Sequence, residues 1–180
     1  MNDIFSTVNI FFDCEFSKLQ LPLAPEPNEL ISIGCISEDG KRFYAENSTT
    51  IFRPQIFSEF VVEIVVPLLE GGKYLIPYAE IARTLKEWLE SFDGEVKMLS
   101  DSPFHDWVHV KHMFDNYGWP VNLAQKPVQL TFSSSIQNMR FQNAVESAFK
   151  TIQPQLRRHH ALDDAIANRY GFLCATERGY

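Results

Sequence analysis

Asp13-Cys14-Glu15 closes an apolar run near the start of the chain, and His159-His160-Ala161-Leu162-Asp163-Asp164 lies near its end. Carboxylates gathered in one cleft repel one another unless cations sit between them. Hard oxygen ligands of this kind suit Mg²⁺ or Mn²⁺. Two such ions beside a histidine are able to cut phosphodiester bonds. Asp13 and Glu15 are two apart in a strand-like run, so both side chains project to one face. Asp13, with two oxygens to share at a strand end, is the natural bridging ligand. A neutral imidazole, with an unperturbed pKa of about 6.5, suits the general base that takes a proton from the attacking water.

The elements that must position these groups follow from pattern. Val8–Phe12 is a short apolar, aromatic run that reads as a buried strand, with Asp13 at its exit. Residues 17–28 are rich in proline and read as a loop. Residues 30–36 alternate partially and read as a second strand; Asp39-Gly40 marks a hairpin turn into a third strand at 42–45. Residues 57–66 predict a short helix ending before Pro67, and 70–73 a loop. Ile81, Leu85, Trp88 and Leu89 give helical spacing to a helix over 78–92. A strand at 96–100, a helix over 103–117 with Pro103 in its first turn, and a strand at 127–132 follow. Ser135 is placed to cap a helix through Phe149, and the last helix is expected from about His159 to Tyr170 with Gly171 as its stop. The order predicts an α/β fold: a mixed sheet of three antiparallel strands followed by parallel strands, with helices on both faces.

At 180 residues, 45% hydrophobic and 22% charged, the chain reads as one soluble globular domain spanning 1–180. No apolar run is long enough to span a membrane, and no membrane partner is expected. Three cysteines without CxxC spacing read as reduced thiols in a cytoplasmic compartment. The net charge of −7 argues against tight binding of a long nucleic-acid polymer. Two bound divalent ions bring it to −3, and an enzyme holding only a chain end needs little basic surface. The acidity favours short substrates.

The motifs carry a resemblance to a known family. Phe12-Asp13-Cys14-Glu15-Phe16 resembles the first motif of the DnaQ-like, DEDD-type 3′–5′ exonucleases. His159 to Ala165 resembles the third motif of the histidine branch, H-x-A-L-x-D-A, which includes ribonuclease T and oligoribonuclease. Glu29 to Gly34 is similar to the segment that follows the first motif, especially in small bacterial exoribonucleases related to the mycobacterial member. Ser102-Pro103-Phe104-His105-Asp106-Trp107 resembles the second motif but departs from N-x-x-F-D by placing His105 between Phe104 and Asp106. Together these cover roughly residues 8–170. The resemblance implies a ribonuclease H-like fold and a metal-dependent 3′–5′ exonuclease that releases nucleoside 5′-monophosphates from single-stranded ends. RNA is favoured and DNA remains open. It further implies a homodimer.

By the same resemblance, Asp13, Glu15, Asp106 and Asp164 hold two Mg²⁺ or Mn²⁺ ions and His159 is the base. Two alternatives stay open: Asp101 in place of Asp106, and His160 in place of His159, because His160 has the separation from Asp164 that a tyrosine takes in the sister branch. Substrate contacts are expected from Phe16, Leu30 and Ile31 against the terminal base, from Trp107 along the cleft and from Arg158 to a phosphate. Strand core and helix surface are the bland readings of the same residues. His105, His109 and His112 have helical spacing without a completing zinc ligand and read as ordinary helix residues. A non-catalytic nucleic-acid or nucleotide-binding module on the same scaffold is the rival function.

Overall fold

The structure is a computed structural model and describes residues 6–18 and 28–176. Residues 19–27, most of the expected proline-rich loop, lie outside the described residues. Six strands form one mixed sheet in the order β4-β3-β2-β1-β5-β6. β1 (Thr7–Phe16), β2 (Leu30–Ser37) and β3 (Arg42–Asn47) make an antiparallel meander. β4 (Leu75–Ile76), β5 (Glu95–Ser100) and β6 (Val128–Gln129) pair in parallel with β3, β1 and β5 respectively. The helices are α1 (Ser48–Ile51), α2 (Tyr78–Glu90), α3 (Pro103–Tyr117), α4 (Ser135–Thr151) and α5 (Ala161–Ala175). Among the described residues no helix is long and apolar enough to cross a membrane.

Alternation along β1 sorts its side chains between two cores. Ile10, Phe12 and Cys14 join Leu85, Leu89, Val110 and Met113 under α2 and α3. Phe11 joins Phe141, Phe149, Ala165 and Ile166 under α4 and α5. Because helices cover both faces, β1 and β2 read as almost continuous apolar runs.

This arrangement places the first-motif carboxylates. The last β1–β5 rung pairs Phe11 with Leu99, while β1 stays paired to β2 as far as Phe16. Asp13 and Glu15 therefore lie just past the carboxyl end of β5, in the crevice where open α/β sheets hold their ligands. Asp13 sits opposite Gly34 on β2. A Cβ on Gly34 would lie 2.2 Å from the Leu162 backbone nitrogen. The missing side chain lets the first turn of α5 rest directly on the sheet, which brings the third motif down onto Asp13.

Several local expectations are corrected. The helix expected at 57–66 is a π-helix at Val61–Val65 running into a 3-10 turn at Val66–Leu68, so it passes through Pro67. Proline lies in the first turn of that 3-10 segment, where its missing N–H is tolerated. The sixth strand spans two residues rather than 127–132, because the Asn138 side chain takes both backbone groups of Phe132 away from the ladder, at 3.0 and 2.6 Å. Ser134, not Ser135, caps α4. α5 starts at Ala161, not His159, because His159 has φ 64° and His160 is the cap. Gly171 lies inside α5 rather than ending it; its missing side chain admits Val145 and Phe141 of α4, which a Cβ would meet at 2.7 and 2.8 Å. α1 and β4 were not expected from pattern.

Candidate metal centre

Four elements deliver acidic side chains to one end of the sheet. β1 presents Asp13 and Glu15, the turn after β5 presents Asp101, the first turn of α3 presents Asp106, and the first turn of α5 presents Asp164. Oxygens of Asp13, Glu15 and Asp164 all lie within 4.8 Å of one another, and so do oxygens of Asp13, Asp101 and Asp106. Asp13 belongs to both groups. Cys14, between the two first-motif acids, points to the other core, with its sulfur 3.8 Å from the Asp106 carbonyl.

The supports differ. Asp106 is buried and accepts a hydrogen bond from the Ser100 hydroxyl, whose oxygen in turn accepts the Ser102 N–H at 2.9 Å. Asp101 is exposed and accepts from the Asn168 side chain at 3.0 Å. Asp164 is held by the helix start, with its N–H on the His160 carbonyl at 3.0 Å.

Burial sets the electrostatics. Removal from water pushes the Asp13 carboxyl well above the usual carboxylate range, and the charges of Asp106, Asp164, Glu15 and Asp101 push it further. Burial, then Asp164 and Asp106, raise Glu15 to about 8. Burial raises Asp106 to about 7, with the Ser100 hydrogen bond opposing. It raises Asp164 to about 7, with hydrogen bonds to the His159 and His160 backbone opposing. Arg158 offsets only part of the repulsion at Asp164, and the crowded hard oxygens fit divalent ions such as Mg²⁺ or Mn²⁺.

A stability profile follows from these shifts. Raised carboxyl pKa values mean that the folded state binds more protons than the unfolded chain between about pH 4 and 8, so this stability is lost as pH rises through the folded values. His109, His159 and His160 are lowered in the folded state, so their opposing contribution is complete within about one pH unit above 6.5 and the carboxyls then decide. With metal chelated, the melting temperature is expected to fall as pH rises from about 6.5 to 8.5, and saturating Mn²⁺ to remove that fall. Scanning calorimetry in both buffers checks it; a chelated protein whose stability is flat over this range contradicts the assignment of crowded, protonated carboxyls.

The adjacent histidines occupy different environments. His160 is buried, stacks on Tyr44 with ring centroids 4.6 Å apart, and accepts the Asp163 N–H at Nδ1. Its Nε2 lies 3.1 Å from an Arg157 guanidinium nitrogen. Arg157 also holds Asp163 at 2.7 Å and Glu70 at 3.0 Å. His160 and Asp163 thus belong to a brace that anchors the start of α5. His159 is exposed, and its ring meets Phe60 edge-on at 5.0 Å. Burial and then Arg158 lower its pKa, which keeps the imidazole neutral at pH 7.

The expected substrate residues fall in different places. Ile31 is fully buried beneath Val61 and Val65, and Trp107 packs between Phe12 and Trp119 at 6.3 and 6.0 Å. Both are packed into cores, Ile31 because β2 is buried along its whole length and Trp107 because it lies on the inner face of α3. Leu30 is buried on the α2/α3 side, beside a cavity of about 690 Å³ that His109 and Tyr78 also line. Phe16 is half-buried and stacks against His105 and His109 at 6.1 and 5.6 Å. Arg158 pairs with Glu146 at 2.6 Å and lies over the Phe149 ring. His109 is buried and lowered to about 4 by desolvation, as a core histidine is. Sequence reasoning missed Ser100, Phe60 and Asn168; only Asn168 carried a signal, four residues beyond Asp164 on one helix face.

No family model and no curated protein sequence matches the chain. Solved structures do match. The nuclease domain of 3'hExo, a DEDDh family member bound to rAMP, aligns at 13% identity with a TM-score of 0.60 over 97% of this chain and 96% of that one. The zinc-bound complex of E. coli ExoI with single-stranded DNA aligns at 13% identity and 0.56 over 96% of this chain, which spans 41% of that one. A 3′-exonuclease described in 3′-end-specific recognition of histone mRNA stem-loop aligns at 12% identity and 0.58, over 94% and 64%. At these identities the likeness shows the fold alone, a ribonuclease H-like α/β fold.

Proposed function

We propose that the protein is a divalent-metal-dependent 3′–5′ exonuclease that hydrolyses phosphodiester bonds at single-stranded ends and releases nucleoside 5′-monophosphates, with RNA preferred over DNA. The observation that carries this reading is the membership of Asp13 in two three-carboxylate groups, each compact enough for one ion. The likeness to nuclease structures bound to rAMP and to single-stranded DNA supports it. When bound, a pair of divalent ions supplies an activated water and neutralises charge at the phosphate.

The chain's own residues divide the remaining work. Asp13, Glu15 and Asp164 form one ligand group, and Asp106 with Asp13 belongs to the other. Ser100 fixes the carboxylate plane of Asp106. Neutral His159, open to solvent, is assigned the proton of the attacking water, taken at a ring nitrogen. His160, with both ring nitrogens engaged and its ring under Tyr44, holds the helix start instead. Exposed Phe60, at the edge of the His159 ring, offers a face for a base.

The test is a product ladder. 5′-labelled RNA and DNA oligomers of matched sequence and several lengths are incubated with the protein and Mn²⁺. Stepwise shortening from the 3′ end, faster on RNA and on short oligomers, is expected, with mononucleotides as the other product. Binding without shortening of either polymer would replace this reading with the non-catalytic module.

A further inference from the structure

The second-motif region supplies two carboxylates, and they are held by opposite means. Asp106 is buried and spends one oxygen on the Ser100 hydroxyl. Asp101 is exposed, yet it is pinned across 67 positions of sequence by the side-chain amide of Asn168. Asn168 is only 4% exposed. A buried amide must find a partner. This one finds an aspartate on the far side of the crevice, and the bond is charge-assisted. Asn168 lies four residues after Asp164, so one face of α5 presents both a carboxylate of the first group and the brace for Asp101.

An exposed aspartate left to itself turns away from other negative charges into water. Here its charge acts on Asp13, Asp106 and Asp164 while Asn168 fixes one of its oxygens. An oxygen of Asp101 lies within 4.8 Å of oxygens of both Asp13 and Asp106. Ligand oxygens at about 2.1 Å from one octahedral ion are separated by roughly 3–4 Å, so the three carboxylates need little adjustment to share it.

Building on the exonuclease reading, we propose that Asp101 is a fifth carboxylate of the centre, a direct ligand of the second ion together with Asp13 and Asp106, and that Asn168 is its positioning residue. Five carboxylates then face two dications. The second ion is held by three protein ligands and binds the free enzyme without waiting for a substrate phosphate.

The experiment titrates Mn²⁺ into metal-free protein and reads free ion by electron paramagnetic resonance, for wild type, Asp101→Asn and Asn168→Ala, with melting temperatures recorded in chelator. Wild type is expected to bind two ions per chain. Asp101→Asn is expected to keep the first ion at unchanged affinity and weaken the second at least about tenfold. Asn168→Ala is expected to weaken the second about 10- to 100-fold, the usual effect of losing a residue that orients a ligand. Metal-free Asp101→Asn keeps an acceptor for Asn168 and loses one repelling charge, so it is expected to melt no lower than wild type; a purely structural Asp101 predicts a lower value. Two ions bound by Asp101→Asn as tightly as by wild type, or a single ion bound by wild type, overturns the proposal while leaving metal-dependent cleavage intact. A wild type that binds no ion overturns the exonuclease reading as well.

Discussion

Asp13→Asn protein is expected to shorten no oligonucleotide in Mn²⁺ and, with metal chelated, to melt at a higher temperature than wild type. The two effects have one cause. Asp13 is the member common to both carboxylate groups, so its loss disrupts both ion sites. Its carboxyl is pushed far up by burial and by four neighbouring carboxylates, so in the absence of metal an ionised Asp13 is a burden on the fold. A neutral isostere removes that burden and keeps the shape. An increase of a few degrees is expected, since each kcal/mol shifts the midpoint of a chain of this size by about 2–4 °C. A cleavage gel, a Mn²⁺ isotherm and a melting curve in chelator read the three quantities. Retained cleavage, or a lower metal-free midpoint, would show that Asp13 is an ordinary strand-end residue.

His159→Gly is expected to lower the turnover rate by about 10²–10⁴, the usual contribution of a general base, while Mn²⁺ binding and melting temperature stay near wild type. Glycine is the suitable replacement because residue 159 has φ 64°, where a side chain costs backbone strain that glycine avoids. The rate of wild type is expected to decline at acid pH as the imidazole gains a proton, and that limb is expected to vanish in the variant. The sign follows from the base role: His159 acts only when neutral, and its pKa is lowered, so the decline begins below the usual value of about 6.5. His160→Ala separates the two histidines. It removes the cap and the Tyr44 stack, so its expected signature is lost stability, about 1 kcal/mol from the cap alone. If His159→Gly were to keep wild-type turnover while a folded His160→Ala lost it, the roles assigned here would be reversed.

The elements of the fold were largely legible because they are local. Helix 103–117 was read at the limits the structure shows, with a proline marking its first turn. The antiparallel meander followed from two apolar runs around Asp39-Gly40. Periodicity and turn chemistry act over a few residues, and one strand of letters contains them. The same holds for the grouping of Asp13 with Glu15, which needs only the twofold repeat of a strand.

What the letters left open depended on partners distant in sequence. Whether residue 101 or 106 faces Asp13 was undecided; the structure brings both, one through Ser100 and the other through Asn168. Adjacent His159 and His160 look interchangeable until Tyr44 and Arg157 bury one and leave the other in the open. Gly171 looks like a helix stop until α4 claims its space, and Gly34 looks like a strand glycine until the first turn of α5 lands on it. Sequence alone determined most of the strands and helices and which residues carry carboxylate or imidazole. Only the tertiary structure decided which of them share a crevice, because that depends on how closely α5 packs against β2, a contact made by residues more than a hundred positions apart.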